Sequence, residues 1–287
     1  MADTTGMADL RAENVDRVIK GLALQEYRFK ELCLVNTSSA WVETYYKETS
    51  ADLTGGTAAA VKGVPRLAQF PYGEVSWTKA SSYIEKYAME GQISYEDAST
   101  NNVDVIARTL IRIARAVTKA VDGQIYSVLS AGAGNSVTIS AGYEWNSDTI
   151  ANRDPVQDLL NAKKEISIDN FDPDSGNAYL LLSPTDYANI LGNSKVVNNP
   201  TFKAADVVSN GVVGQIVGLK IIVSNNVTAD EALVVISKEA CTWKQAKPLT
   251  TETIVDPGIK YTIRAWEMGV AQLIAADAVC KISNTQK

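Results

Sequence analysis

The strongest periodicity in the chain runs from 101 to 130. Val103, Ile106, Leu110, Ile113, Val117, Val121, Ile125 and Val128 recur at spacings of three and four. At 100° per residue they fill an arc of roughly 120°. The pattern predicts one straight helix about 45 Å long at ~1.5 Å per residue. Ser99, Thr100 or Asn101 can cap its start, and Gly132 follows its last turn. Upstream, Leu10, Val15, Val18, Ile19, Leu22 and Leu24 predict an amphipathic helix that opens an extended arm within residues 1–35. Between arm and long helix, WVETYYKE alternates in the manner of a strand. ADLTGGTAAAVKGVPRLAQFPYG is small, rich in glycine and alanine, and reads as a long loop. EVSWTKASSYIEKYAMEGQISYED returns in extended form. A lone two-stranded ribbon is marginal in water, so this excursion needs a neighbour to lie on.

Beyond the long helix, AGAGNSVTISAGYEWNS predicts a turn and a short hairpin. Asp154-Pro155 supplies an N-cap and a first-turn proline for a helix to about Ile166. NFDPDSGN is a turn cluster, and AYLLLS an apolar, buried strand. Ser183-Pro184-Thr185-Asp186 caps a further helix that Gly192 ends. Strand-like runs follow: QIVGLKIIVS, EALVVIS and GIKYTIRAW. In the last, Ile259, Tyr261, Ile263 and Ala265 alternate with Lys260, Thr262, Arg264 and Trp266. Helices and strands interleave without a regular βαβ order, which predicts an α+β fold.

Composition narrows the function. The 287 residues are 46% hydrophobic and 21% charged, enough for a sizeable core without metal or disulfide staples. A formal charge of −6 excludes a globally basic surface for nucleic acid or anionic lipid, and leaves local patches open. Histidine is absent, which removes His-based triads and imidazole zinc sites. Cys33, Cys241 and Cys280 form no C-x-x-C pair and read as buried thiols of a reducing compartment. No run reaches the ~18 apolar residues of a membrane span. MADTTGMADLRAENVD has no apolar core of a secretory signal, so the sequons at Asn36 and Asn226 carry no expected glycan.

Local motifs for chemistry are weak. Gly132-x-Gly134 lacks the third glycine, which Val137 replaces, and follows a helix rather than a strand. Asn170, Asp172 and Asp174 mimic the start of a calcium loop, but the glycine comes one residue late and Leu181 replaces the bidentate glutamate. A surface turn is the simpler reading. No carboxylate pair has a spacing suited to acid–base work, and no cysteine has the histidine that activates a nucleophile. Neither a catalytic, a cofactor nor a metal site is expected. One charge pattern has a direction: Arg108, Arg112, Arg115 and Lys119 fall within about 60° opposite the apolar arc. They form either a solvated face with ion pairs to an adjacent element or subunit, or a surface presented to packaged nucleic acid.

The order of parts resembles the major capsid proteins of tailed phages, with the Hong Kong 97-like fold. KYAMEGQISYEDAS looks like the family's loop-base strand. AYLLLSPTDYANIL resembles the strand-to-helix passage of the axial domain. VGLKIIVSNNV, followed by EALVVISKEACTWKQA, resembles the family's G-L/x-P-V-V-x-S segment and the strand after it, with Lys220 where a proline is common. The resemblance spans about residues 10–283. It implies an N-terminal arm at 1–39, an extended β loop at 40–96, a peripheral domain with the spine helix at 97–166, an inserted axial domain at 167–245, and a returning peripheral β segment at 246–287. It further implies pentamers and hexamers closing into an icosahedral shell around double-stranded DNA, with portal and scaffolding or decoration proteins as partners and no membrane. Assembly would take place in the host cytoplasm. Some relatives cross-link a loop lysine; Lys62 and Lys79 lie in the loop, but no motif marks either. An encapsulin-like shell around a cargo enzyme is the nearest rival. A carboxylate- or metal-based hydrolase and a monomeric binding module are more distant ones.

Overall fold

The computed structural model describes residues 12–26, 28–48, 64–69, 78–100, 103–193, 196 and 214–287. Helix α1 (Ala12–Glu26) and a 3-10 turn at Lys30–Leu32 lead into β1 (Leu34–Thr37), β2 (Val42–Lys47), β3 (Thr78–Tyr83) and β4 (Glu85–Ser94). Helices α2 (Tyr95–Ser99) and α3 (Val103–Gly132) follow, then β5 (Asn135–Thr138), α4 (Pro155–Ile168), β6 (Ala178–Leu182) and α5 (Pro184–Leu191). The chain ends in β7 (Gln215–Ile216), β8 (Leu219–Val223), β9 (Glu231–Ile236), β10 (Cys241–Asp256), β11 (Lys260–Leu273) and β12 (Val279–Ser283).

Helix α3 is the predicted spine. Ile106, Leu110, Ile113, Val117, Val121 and Ile125 are buried, while Val128 is half-buried and its neighbour Leu129 fully so. The drift at the last turn follows from 3.6 residues per turn, which rotates the three-four pattern away from a fixed stripe. At the other end, Ser99 and Thr100 close the C-terminus of α2, where both hydroxyls donate to the Glu96 carbonyl, while Ser94 caps the start of α2, its hydroxyl accepting from the Asp97 N–H. Asn101 lies outside the described residues. In α1, Val15 and Ile19 are buried against α3 and β10, Leu22 is half-buried and Val18 is exposed.

Two sheets carry the rest. A four-stranded sheet has the order β1-β10-β11-β4, with β1 parallel to β10 and the other pairs antiparallel. Helix α3 crosses it closely: a Cβ on Gly91 of β4 would lie 2.7 Å from Thr109 Cγ2 and 2.8 Å from Ile113 Cδ1. On β11, a Cβ on Gly269 would meet the Trp243 ring at 2.6 Å, so the glycine leaves room for the buried indole against the neighbouring strand. That indole, the Gln245 amide and the Lys30 ammonium all donate to the fully buried Glu267 carboxylate, tying the arm to the sheet.

The six-stranded sheet has the order β5-β12-β9-β6-β8-β7. Helix α4 covers β5 and β12 with Leu159, Ala162 and Ile166. Its N-cap is Asp154, which accepts from the Gln157 N–H, with Pro155 in the first turn, and it runs on to Ile168. Residues 131–147 depart from the expected hairpin. β5 pairs in parallel with β12, Cys280↔Asn135 to Ser283↔Thr138, because the partner strand comes from the far end of the chain. Gly134 permits this junction: its N–H donates to the Ala276 carbonyl, and a Cβ there would lie 2.4 Å from Asp277 Oδ1. The pairing thus groups 135–138 and 279–283 with strands from 167–245.

Strands β2 and β3 form the predicted ribbon, a separate two-stranded antiparallel sheet from Val42↔Tyr83 to Lys47↔Thr78. Ile84 joins β3 directly to β4, its N–H donating to the Trp41 carbonyl. Most of the loop between the two strands, including Lys62, lies outside the described residues.

Candidate assembly and nucleic-acid surfaces

The α3 helix places Arg108, Arg112, Arg115 and Lys119 together on its exposed face, opposite the buried Leu110, Ile113 and Val117. With Ile111 and Ala116 they line an open depression of about 580 Å³. It follows roughly 16 Å of helix at ~1.5 Å per residue. The C-terminal half of the stripe adjoins a second cleft of about 480 Å³, where Arg115 and Lys119 meet Arg28, Ser224, Asn225 and Asn226. The Arg28 guanidinium donates to the Val223 carbonyl at 2.8 Å, and the Asn226 amide donates to the Lys119 carbonyl at 3.3 Å. Arg28 therefore extends the cationic surface onto the arm. Sequence reasoning missed it because no periodicity relates residue 28 to the spine.

Beneath this cleft Asp122 is 3% exposed and accepts from the N–H groups of Arg28 at 3.0 Å and Phe29 at 3.3 Å. Burial pushes its carboxyl up to about 6, against the pull of those donors and of the Lys30 charge. This carboxylate holds the arm's turn against the spine.

The remaining sequence candidates have structural work. In the Asn170–Asp174 segment, Asp172 accepts from the Asp174 N–H at 2.9 Å, and Asp174 pairs with Lys163. Among the described residues, no group of three or more His, Cys, Asp or Glu side chains is arranged to hold a metal ion. All three cysteines are buried, and burial raises Cys280 to about 12. No described helix is long and apolar enough to cross a membrane.

The ribbon offers a different kind of surface. Register puts Val42, Thr44 and Tyr46 on one face with Tyr83, Ser81 and Lys79, all of them exposed. Tyr46 is 56% and Tyr83 70% exposed, and Trp41 at the ribbon's base 69%. The opposite face rests on the body, where the Gln272 amide donates to the Ser82 hydroxyl at 2.7 Å. Aromatic exposure on this scale, on a ribbon too narrow to form its own core, is the chemistry of a contact surface.

An arm, a two-stranded excursion, a long spine helix over one sheet and a second mixed sheet define the Hong Kong 97-like capsid fold. Solved capsids share it. The capsid structure of the cyanophage P-SCSP1u is 16% identical over 90% of this chain and 88% of that one, with a TM-score of 0.68. The mature capsid of bacteriophage PhiM1 is 15% identical over 91% and 87%, with a TM-score of 0.62. The virus-like particle from Pyrococcus furiosus is 10% identical over 94% and 98%, also at 0.62. At such identities the likeness is one of fold. No curated protein sequence matches the chain. The sequence profile described as "Phage capsid protein" matches residues 79–282, and the chain belongs to that family. It is a structural protein that self-associates into a capsid shell.

Proposed function

We propose that the chain is the major capsid protein of a tailed virus, closing into an icosahedral shell around double-stranded DNA. Capsid-family membership and near full-length likeness to solved phage capsids support the shell. The observation that carries the DNA reading is the exposed row Arg108, Arg112, Arg115 and Lys119, joined by Arg28, on a chain whose net charge is −6. A few phosphate contacts per subunit, repeated over a wall of identical copies, would sum to strong, salt-sensitive retention. Residues 1–39 would act as the arm and 40–96 as the loop lying over a neighbouring subunit. Residues 97–166 and 246–287 would form the peripheral domain. The axial domain, 167–245, would gather at the centres of pentamers and hexamers, whose rings close by heterologous contacts. Portal and scaffolding or decoration proteins would complete the particle in the host cytoplasm, and no step requires catalysis.

The test uses particles recovered from producing cells, examined by negative stain and digested with nuclease. Charge reversal is confined to Arg108→Glu with Arg112→Glu, because Arg115 also borders the Asp122 cleft. The expected result is intact shells whose protected DNA falls several-fold. Wild-type DNA content in those shells removes the stripe from the reading. A cargo protein in place of DNA would favour the second reading, a nanocompartment, which the fold shared with the Pyrococcus particle supports. A monomer at all salt and protein concentrations would overturn both.

A further inference from the structure

Cys33 and Cys241 are 208 positions apart in the chain, yet the Cys33 thiol donates to Cys241 Sγ at 3.0 Å. Cys33 sits between the Lys30–Leu32 turn and β1, and Cys241 opens β10. The next residues along, Leu34 and Thr242, are partners in the parallel ladder. The two cysteines therefore stand at one level of adjacent strands, about 4.8 Å apart, inside the ~4.4–6.8 Å Cα window of a disulfide. Both are buried, but β1 beside them is exposed along all four of its residues and forms the edge of its sheet. A short edge strand of this kind opens locally at low cost, giving small molecules access.

We propose that Cys33 and Cys241 form a latent intrachain cross-link, reduced inside the cell and closed by a small-molecule disulfide outside it, which pins the arm to β10. In the reaction, one thiol loses its proton and its sulfur attacks the S–S bond of oxidised glutathione, expelling a glutathione thiolate. The second thiol, deprotonated in turn, attacks the mixed disulfide and expels the other glutathione thiolate. Two protein thiols become one disulfide, one glutathione disulfide becomes two glutathiones, and the two protons end on those leaving groups. The thiol hydrogen bond and burial hold Cys33 well above the ordinary thiol range. Closure is accordingly slow at neutral pH and faster in alkali. Cys280 lies apart, buried in β12, and serves as an internal control.

The purified full-length chain is incubated without denaturant in oxidised glutathione, quenched in acid, alkylated in denaturant and digested with trypsin. The expected product joins peptide 31–47 to peptide 239–244, disappears after dithiothreitol, and leaves Cys280 alkylated. Oxidation should raise the melting temperature by about 5 °C, since the bond constrains a very long loop of the unfolded chain. Cys33→Ala and Cys241→Ala should each lose the linked peptide and the increment, and Cys280→Ala should keep both. If either variant fails to fold, peptide mapping of the wild type still decides. Glutathione left on either cysteine without the linked pair, linkage only in denaturant, or linkage with unchanged melting would overturn the proposal.

Discussion

The Asp122 carboxyl hydrogen-bonds the turn of the arm to the spine, and its protonation is tuned by where it sits. Burial raises it from 3.8 to about 6, with the backbone donors of the arm and Lys30 opposing. Between those values the folded chain binds a proton that the unfolded chain releases. The contribution of Asp122 to stability therefore falls as pH rises towards 6 and is least above it. Lowering the pH from 7 to 5 should shift the stability difference between wild type and Asp122→Asn by about 1 kcal/mol in favour of wild type. Urea unfolding of the two proteins at both pH values measures it, and a constant difference would refute the assignment. Nothing in the sequence around residue 122 announced this role, because the partners are backbone N–H groups of residues 28 and 29. The stripe residues were legible for the opposite reason: four cations on one helix face need only the 3.6-residue repeat to be placed together.

At the scale of elements, caps are set by local chemistry and sheet partners by remote pairing. Ser183 caps α5 as expected, accepting from the Asp186 N–H at 3.1 Å and donating its hydroxyl to Asp186 Oδ2 at 2.7 Å. Asp186 is fully buried, so Ser183→Ala removes a cap and leaves a buried carboxylate oxygen without its donor. A loss of about 1–3 kcal/mol is expected, read as a lowered urea midpoint. A change below a few tenths would mean that Asp186 finds another donor. Strand β5 is the contrasting case. Its residues suit a strand, but a hairpin was expected because the true partner, β12, lies more than a hundred residues away. The alternation expected in β11 is similarly altered at its start. Ile259 is 67% exposed in the turn before the strand, while Thr262 is buried beneath the packed sheet.

For the whole molecule, the ribbon carries large aromatic side chains on an exposed face. Tyr46 and Tyr83 occupy its open face, 56% and 70% exposed. Tyr46→Ser with Tyr83→Ser should therefore leave circular dichroism and thermal unfolding of the subunit close to wild type. The same pair should abolish or sharply reduce shell formation, as judged by size-exclusion chromatography and negative stain. Shells at wild-type yield would show that the ribbon's aromatics are not a subunit contact.

The sequence by itself determined the elements whose causes are local: the spine and its two faces, the caps at Asp154 and Ser183, the buried AYLLL strand and the ribbon. Each depends on periodicity or on hydrogen bonds within a few residues. Tertiary structure alone decided which strands share a sheet, that Arg28 joins the cationic cleft, that Glu267 gathers donors from the arm and β10, and that Cys33 meets Cys241. Those contacts join parts of the chain far apart in sequence, and they form only when burial of the two sheets and the spine offsets the entropy of bringing them together.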